Sequence, residues 1–376
     1  MSDSLLRELA DFGQSIWLDN INRAMIDRGD LKSWVDRGLK GLTSNPSIFN
    51  QVISRTDDYD PLIQKLAAAG KSTFEIYDEL TTGDIRDAAD LFAPVYQESA
   101  RLDGYVSLEI NPELANDTEA SIREGKRLAA KVGRPNLMIK VPATPAGFPV
   151  VAELLAAGIN VNVTLIFSLD QYVRTVEAFL KGLARYAQDN PDGDLGKVRS
   201  VASVFVSRID TVVDQLIEDK CQKGDAQLAG LKGKAAVANC RKILERSREL
   251  FGAREFLSLK ANGAAPQRVL WGSTSTKNPQ YSDIKYVAEL ITPLTVNTVP
   301  AKTLTAFLDH GVLKPALTQP VTEAQEVIAT LGDQGISVDR ICEELLEKGV
   351  AAFDDAFKGL LASIEEKARQ LSTPAA

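Results

Sequence analysis

The stretch INVNVTLI, residues 159–166, alternates apolar and polar side chains along its whole length. A period of two is typical of a β-strand, whose successive side chains point to opposite faces. One face would carry Val161, Val163 and Leu165, and the other Asn160, Asn162 and Thr164. The following segment, SLDQYVRTVEAFLKGLARYAQ (168–188), repeats its apolar residues at helical spacing. A strand that leads directly into an amphipathic helix indicates a parallel sheet with helices packed against it.

The same unit recurs along the chain, because seven further strand-like runs alternate with helical stretches. The eight runs are SIWLDNI (15–21), KGLTSNP (40–46), GYVSLEI (104–110), NLMIKVP (136–142), INVNVTLI (159–166), SVASVFVSR (200–208), RVLWGST (268–274) and LTVNTVP (294–300). Eight such units favour an α/β fold of the (β/α)8 or TIM-barrel type, which typically takes about 250 residues. A doubly wound open sheet is the main alternative, but no run is followed by the pattern G-x-G-x-x-G.

The sequence predicts one domain over residues 1–376, because no internal repeat and no linker rich in Pro, Gly or Ser divides it. The barrel strands lie within about 15–300. The long intervals 47–103 and 209–267 leave room for additional helices, and 302–372 is expected to form C-terminal helices packed on the barrel.

The charge and composition of the chain limit its partners. The net charge is −8, and no basic run is interleaved with aromatic residues, which disfavours nucleic acid and anionic membranes. The N-terminal residues are charged where a signal peptide is apolar, and no run of 18 apolar residues occurs, so we expect a cytoplasmic protein without a membrane segment. The three cysteines form no C-x-x-C pair and His310 is the single histidine, so neither a disulfide framework nor a metal site is expected.

Polar side chains fall on the inward face of several strands, near the ends where barrel active sites lie. If the apolar residues of each run face the helices, the inward set comprises Asp19, Asn45, Glu109, Lys140, Asn162 and Thr164. A buried ion pair between Lys140 and Glu109, or a polar barrel layer, would be a structural explanation. The convergence of all these groups favours a functional site, because burying them for structure alone gains little over apolar packing.

Lys140 lies among apolar residues in NLMIKVPAT (136–144), and burial in such surroundings lowers the pKa of an amine. A neutral amine can attack a ketone or aldehyde and form a Schiff base, which accepts electrons when an adjacent carbon–carbon bond breaks. Two inward carboxylates can carry out the proton transfers in different roles. The residues alone therefore predict a Schiff-base lyase or aldolase on a barrel, without a metal.

Six motifs, in order along the chain, resemble those of the transaldolases, in particular the longer bacterial form. They are WLDNI, GLTSNPSIF, SLEINPELANDT, LMIKVPATPAG, NVNVTLIFS and VASVFVSRID. The resemblance extends from about residue 10 to about residue 310. It implies a barrel enzyme of the pentose phosphate pathway that uses no cofactor. The expected reaction moves a dihydroxyacetone unit from sedoheptulose 7-phosphate to glyceraldehyde 3-phosphate, giving erythrose 4-phosphate and fructose 6-phosphate.

The resemblance also implies catalytic roles for individual residues. Lys140 resembles the Schiff-base lysine, and Asp19 the base that takes the proton of the C4 hydroxyl during cleavage. Glu109 is similar to the acid–base group that acts through a water molecule, and Thr164 to the residue that holds this water.

Further residues are implied in substrate binding. Asn45 and Asn162 resemble the amides that bind the donor's hydroxyl groups, while Ser203 and Arg208 resemble substrate and phosphate contacts. Arg208 breaks the alternation of its strand, so the strand should bend or end there, and an ion pair with Asp210 is the structural alternative for it. Many transaldolases have an arginine where this chain has Lys277, which can neutralise phosphate but lacks the two-pronged geometry of a guanidinium.

Two alternatives to a transaldolase stay open at this point. A fructose 6-phosphate aldolase would release free dihydroxyacetone, but in that relative the residue that handles the water is not a carboxylic acid. A barrel that binds sugar phosphates without catalysis is the other alternative, and the intact set of inward residues disfavours it. The expected partners are ketose and aldose phosphates, with the oligomeric state, monomer or homodimer, left open.

Overall fold

The computed structural model describes residues 2–372 and contains a closed barrel of eight parallel strands in chain order. The strands are β1 (Gln14–Asp19), β2 (Gly41–Thr43), β3 (Tyr105–Glu109), β4 (Leu137–Pro142), β5 (Val161–Ile166), β6 (Ser200–Phe205), β7 (Arg268–Gly272) and β8 (Thr295–Val299). The barrel closes where β1 pairs with β8, with Trp17 opposite Thr298. Each strand overlaps one of the eight predicted runs, and the predicted (β/α)8 fold is confirmed.

Helices surround the barrel and fill both long intervals, as predicted. They are α1 (Ser2–Phe12), α2 (Arg23–Asp27), α3 (Asp30–Asp36), α4 (Pro46–Arg55), α5 (Asp60–Ala68), α6 (Thr73–Glu98), α7 (Thr118–Val132), α8 (Gly147–Ala156), α9 (Leu169–Asp189), α10 (Ser207–Gln222), α11 (Ala235–Gly252), α12 (Arg254–Lys260), α13 (Lys285–Ala288), α14 (Ala301–His310), α15 (Val321–Asp333) and α16 (Val338–Ser372). Short 3₁₀ helices occur at Pro112–Leu114, Leu195–Lys197 and Ala226–Leu231. Within residues 2–372, no helix has the length and apolar character that crossing a membrane requires.

The interior of the barrel is layered, with an apolar layer between two polar ones. The middle layer is a separate apolar cluster of Trp17, Tyr105, Met138, Val201, Leu270 and Val296. The indole of Trp17 fits there because Gly41 has no side chain, since a Cβ at Gly41 would lie 2.6 Å from the ring. Two residues further along several strands, towards their C-terminal ends, come the polar side chains Asp19, Ser107, Lys140, Ser203 and Thr298. The alternation of the strands thus places a polar layer at the mouth.

The C-terminal helix α16 crosses the barrel mouth at β5 and packs on α4 and α5. Leu165 corrects one sequence expectation here, because its side chain does not join Val161 and Val163 on the outer face. Its φ of 57° lies in the left-handed region and the register of β5 against β6 shifts between Val163 and Ile166, so the alternation stops. Leu165 packs instead against Gly349 of α16, where a Cβ would lie 3.0 Å from Leu165 Cδ2.

Candidate active site

Lys140 and Glu109 form a buried ion pair at the mouth of the barrel. They lie opposite each other on the paired strands β3 and β4. Lys140 Nζ is 3.3 Å from Glu109 Oε2, and it donates a hydrogen bond of 2.9 Å to the carbonyl oxygen of Ser44. Burial raises the pKa of Glu109 above its usual range, and the positive charge of Lys140 opposes this shift. A carboxylate with a raised pKa accepts a proton more readily, which suits Glu109 to proton exchange with the amine.

Helix α16 closes the mouth above this pair. The ring centroid of Phe353 lies 5.7 Å from Lys140 Nζ. A small cavity of about 10 Å³ beside Glu109 is lined otherwise by apolar side chains and backbone, including Phe353, Val350 and Leu165. This apolar wall contributes to the burial that raises the pKa of Glu109. Phe353 could not be recognised from the sequence, because it occupies one position of an ordinary apolar stripe on an amphipathic helix.

Asp19 lies at the end of β1, where it is half-buried and near Lys140. Burial raises the pKa of Asp19, while the charge of Lys140 and a hydrogen bond from Thr43 oppose the shift. Thr43 Oγ1 donates to Asp19 Oδ1 over 2.8 Å and lies 2.7 Å from Thr298 Oγ1. Since the single hydroxyl proton of Thr43 is used on Asp19, Thr298 is the donor in the second contact. The two threonines therefore hold one oxygen of the carboxylate in a fixed position.

Asn162 lies fully buried between two serines on neighbouring strands. Its Nδ2 donates to Ser107 Oγ over 3.0 Å, and its Oδ1 accepts from Ser203 Oγ over 2.6 Å. An amide has two N–H groups and two lone pairs, so one of each is left for a substrate. Ser107 was not among the predicted site residues, although its inward direction on the strand of Glu109 could have indicated it.

Thr164 and Asn45 take different positions at the mouth. Thr164 Oγ1 is buried, and among residues 2–372 it has no hydrogen-bond partner, which fits a group that binds a water or a substrate. Asn45 accepts a hydrogen bond of 3.0 Å from the Ile48 N–H through its Oδ1 and thereby caps α4. This contact fixes the side chain in the turn that follows β2.

Arg208 and Lys277 are two neighbouring cations on the rim. Strand β6 ends at Phe205 and Arg208 lies in the first turn of α10, as the break in alternation predicted. Arg208 is half-buried, and no ion pair joins it to a carboxylate in the described part of the chain. Asp210, the alternative partner, accepts hydrogen bonds from the Ala236 N–H and the Tyr286 hydroxyl instead. Desolvation lowers the pKa of Lys277, the charge of Arg208 lowers it further, and Asp19 opposes the shift. Two cations that repel each other on the rim fit a phosphate group.

The geometry thus unites one amine and two carboxylates at the mouth, with amides and hydroxyls beside them and two cations at the rim. The arrangement fits covalent catalysis by an amine, with separate groups for proton transfer. In residues 2–372, no group of three or more His, Cys, Asp and Glu side chains is arranged to hold a metal ion.

The chain is similar to known proteins over almost its whole length. A family model described as transaldolase/fructose-6-phosphate aldolase matches residues 16–364. The chain is 44% identical over 375 residues to a protein of Trichodesmium erythraeum named transaldolase, with 98% of both chains covered. It is 42% identical to proteins named transaldolase 2 from Nostoc punctiforme, over 381 residues, and Streptomyces coelicolor, over 374 residues, with at least 99% of each chain covered.

Proposed function

The chain belongs to the transaldolase/fructose-6-phosphate aldolase family, and from this premise we propose that it acts as a transaldolase through a Schiff base on Lys140. It transfers a dihydroxyacetone unit from sedoheptulose 7-phosphate to glyceraldehyde 3-phosphate, giving erythrose 4-phosphate and fructose 6-phosphate. The observation that carries the assignment of Lys140 is its buried amine, 3.3 Å from Glu109 and beside Asp19.

The first half of the proposed mechanism joins the donor to the enzyme. Lys140 first gives one ammonium proton to Glu109, and the neutral amine then attacks the C2 carbonyl of the ketose. The raised pKa of Glu109 supports this role, because a buried carboxylate favours its neutral form. A proton moves from the nitrogen to the C2 oxygen to give the carbinolamine, Glu109 gives its own proton to the resulting C2 hydroxyl through a water held by Thr164, and water leaves as the iminium forms.

The second half breaks and remakes the carbon–carbon bond. Asp19 takes the proton of the C4 hydroxyl, the bond between C3 and C4 breaks, and its electrons move to the iminium nitrogen. The aldose leaves, and the remaining three-carbon enamine is held by Asn45 and Asn162. The enamine then attacks the acceptor aldehyde, and Asp19 gives its proton to the aldehyde oxygen, which becomes the new hydroxyl group. Hydrolysis of the imine frees the product and Lys140.

The phosphate ends of donor and acceptor are proposed to bind between Arg208 and Lys277. A phosphate dianion would relieve the repulsion between these cations, and it would lie near the positive end of the α10 helix dipole, next to Arg208. Ser203 contributes by holding Asn162. Because Lys277 acts as a point charge, we expect it to contribute affinity and little orientation.

Borohydride trapping tests the central step of this proposal. The protein is incubated with fructose 6-phosphate, reduced, and digested, and the modified peptide is identified by mass. We expect one three-carbon adduct on Lys140 and loss of transfer activity. An adduct on another lysine, or none, would overturn the mechanism. Free dihydroxyacetone accumulating without an acceptor aldehyde would instead support the aldolase reaction.

We further propose that the chain forms one domain and acts in the cytoplasm, as its sequence predicts. The continuous strand–helix pattern supports the first statement and the composition supports the second.

A further inference from the structure

Helix α10 carries two buried carboxylates one turn apart, Asp210 and Asp214. Each accepts one backbone N–H and one tyrosine hydroxyl. Asp214 accepts from the Gly233 N–H over 2.8 Å and from Tyr281 over 2.7 Å. Asp210 accepts from a backbone N–H of α11 over 2.7 Å and from Tyr286 over 2.8 Å. Charge-assisted hydrogen bonds of this kind are the stronger ones, so both sets fix α10 to its neighbours.

The contact between Asp214 and Tyr281 depends on a glycine. Gly233 has a φ of 70°, in the left-handed region that favours glycine, and a Cβ there would lie 2.9 Å from Tyr281 Cζ. The segment before α11 therefore provides both a hydrogen-bond donor and the space that Tyr281 needs. This segment belongs to the interval 209–267, for which the sequence indicated only additional helices.

Tyr281 is also the anchor of the turn that carries Lys277. The turn is closed by the hydrogen bond from Thr276 Oγ1 to the Ser282 carbonyl, 2.7 Å, and from the Tyr281 N–H to the Asn278 carbonyl, 3.1 Å. The tyrosine hydroxyl then attaches this closed turn to α10, the same helix that begins next to Arg208. Lys277 and Arg208 are therefore both positioned relative to α10.

We propose that Tyr281, through Asp214, is a positioning residue that sets the distance between Lys277 and Arg208 and so determines the affinity for the phosphate end of the substrate. The inference rests on the proposed function. Without a phosphate the two cations repel, so the turn that carries Lys277 needs a second attachment to stay beside Arg208. Tyr281 itself does not contact the reacting atoms.

Tyr281→Phe removes only the hydroxyl group and tests this role. The variant is assayed with fructose 6-phosphate and with unphosphorylated fructose as donors, each with erythrose 4-phosphate as the acceptor at a fixed saturating concentration, and the sedoheptulose 7-phosphate formed is measured. We expect the KM for fructose 6-phosphate to rise about 5- to 10-fold, since a hydrogen bond to a charged group contributes a factor of roughly ten or more. The kcat for fructose 6-phosphate and the kcat/KM for fructose should stay within about twofold of the parent values.

Two further variants separate positioning from general stability. Tyr286→Phe removes the matching hydroxyl from Asp210, outside the turn of Lys277, and should leave the KM for fructose 6-phosphate within about twofold. Lys277→Met should raise the same KM, and adding Tyr281→Phe to it should have no further effect, because the lost contact acts only through Lys277.

The proposal is overturned if Tyr281→Phe leaves the KM for fructose 6-phosphate unchanged, if both donors are affected equally, or if the two substitutions are additive. These outcomes differ from failure of the proposed function, in which the unsubstituted protein would neither transfer nor form a borohydride-trapped adduct.

Discussion

The two ends of the barrel each contain a buried cation–carboxylate pair, and the pairs differ in how completely they are hydrogen-bonded. Lys140 and Glu109 at the mouth are 3.3 Å apart, and Arg268 and Asp103 at the opposite end are 3.0 Å apart. Their side chains are almost equally buried, between 5% and 7% exposed. Burial alone therefore does not distinguish a reactive pair from a structural one.

In the pair at the N-terminal end, both terminal nitrogens of Arg268 and both carboxylate oxygens of Asp103 are hydrogen-bonded, whereas the buried Arg268 Nε has no partner among residues 2–372. Arg268 donates through both terminal nitrogens to four acceptors, including Ser15 Oγ and the Thr295 carbonyl. Asp103 accepts from Ser15 Oγ over 2.7 Å and from Trp17 Nε1 over 3.2 Å in addition. A charged pair bonded in this way repays much of its desolvation, and little capacity is left for a substrate.

The pair at the mouth has fewer hydrogen-bond partners. Lys140 donates to two acceptors, and the pKa of Glu109 is raised by burial and further by the negative charge of Asp19. Two of the three ammonium N–H groups of Lys140 are used, and the neighbouring carboxylate readily takes up a proton, so the pair can exchange a proton at the expense of stability. The comparison indicates that the two pairs differ in the number of their hydrogen-bond partners more than in their burial.

Lys140→Met should abolish the transfer activity and leave the fold intact. We expect the transfer rate to fall at least about 10³-fold, because no other group replaces the covalent nucleophile. The free energy of unfolding should change by less than about 2 kcal/mol, since removal of the cation relieves a desolvation cost and Glu109 can take up a proton. Steady-state assays and urea unfolding measure the two quantities. Substantial residual turnover would mean that another lysine forms the imine.

Arg268→Met should give the opposite result. Removal of the guanidinium leaves Asp103 buried without its cation, so the free energy of unfolding should fall by about 3–5 kcal/mol. The kcat per folded molecule should stay within about twofold, because the apolar middle layer separates this pair from the mouth. Arg268→Lys keeps the charge and should lose less stability, which provides a measurable variant if the methionine variant does not fold. Unchanged stability in both would show that this pair does not hold the barrel together.

The inward charged residues at the mouth could be predicted from the sequence better than those at the opposite end, and the reason is physical. Residues such as Asp19 and Lys140 interrupt apolar strands, so the alternation of side chains reveals their direction. Arg268 begins its strand and Asp103 precedes another, positions that are also common for exposed charges. These two residues meet across the interior only because the sheet closes into a barrel, and this closure is not encoded in the period of a single strand.

The errors and omissions at the mouth have similar causes. The prediction for Leu165 was wrong because a left-handed φ cancels the period of two, and nothing in INVNVTLI signals this bulge. Phe353 was missed because its contact with Lys140 depends on where α16 crosses the barrel, which is a tertiary packing property. Local pattern thus defines the strands and the inward side chains, whereas the covering of the site is set by long-range packing.

Two hydroxyl groups have matching roles at the two ends of the barrel, and the removal of either should have a smaller effect than the substitutions above. Thr43 donates to Asp19 and accepts from a neighbouring hydroxyl, as Ser15 donates to Asp103 and accepts from Arg268. The bond from Thr43 stabilises the ionised form of Asp19 and so lowers its pKa, and Thr43→Val should raise that pKa. Asp19 must be ionised to act as a base, so the acid limb of the rate of aldehyde release should move to higher pH, by about half a unit to one unit.

Two matched variants decide whether this shift comes from the hydrogen bond. Thr43→Ser keeps the hydroxyl and should restore the acid limb to its original pH. Ser15→Ala should lower the free energy of unfolding by about 1–2 kcal/mol without moving the pH profile, because Asp103 takes no part in catalysis. A profile that moves equally in the valine and alanine variants would mean that the shift reflects a general change in the barrel. A profile that stays fixed in Thr43→Val would mean that Asp19 is not the base whose ionisation limits cleavage, which would leave the two ends of the barrel less different than their hydrogen bonding indicates.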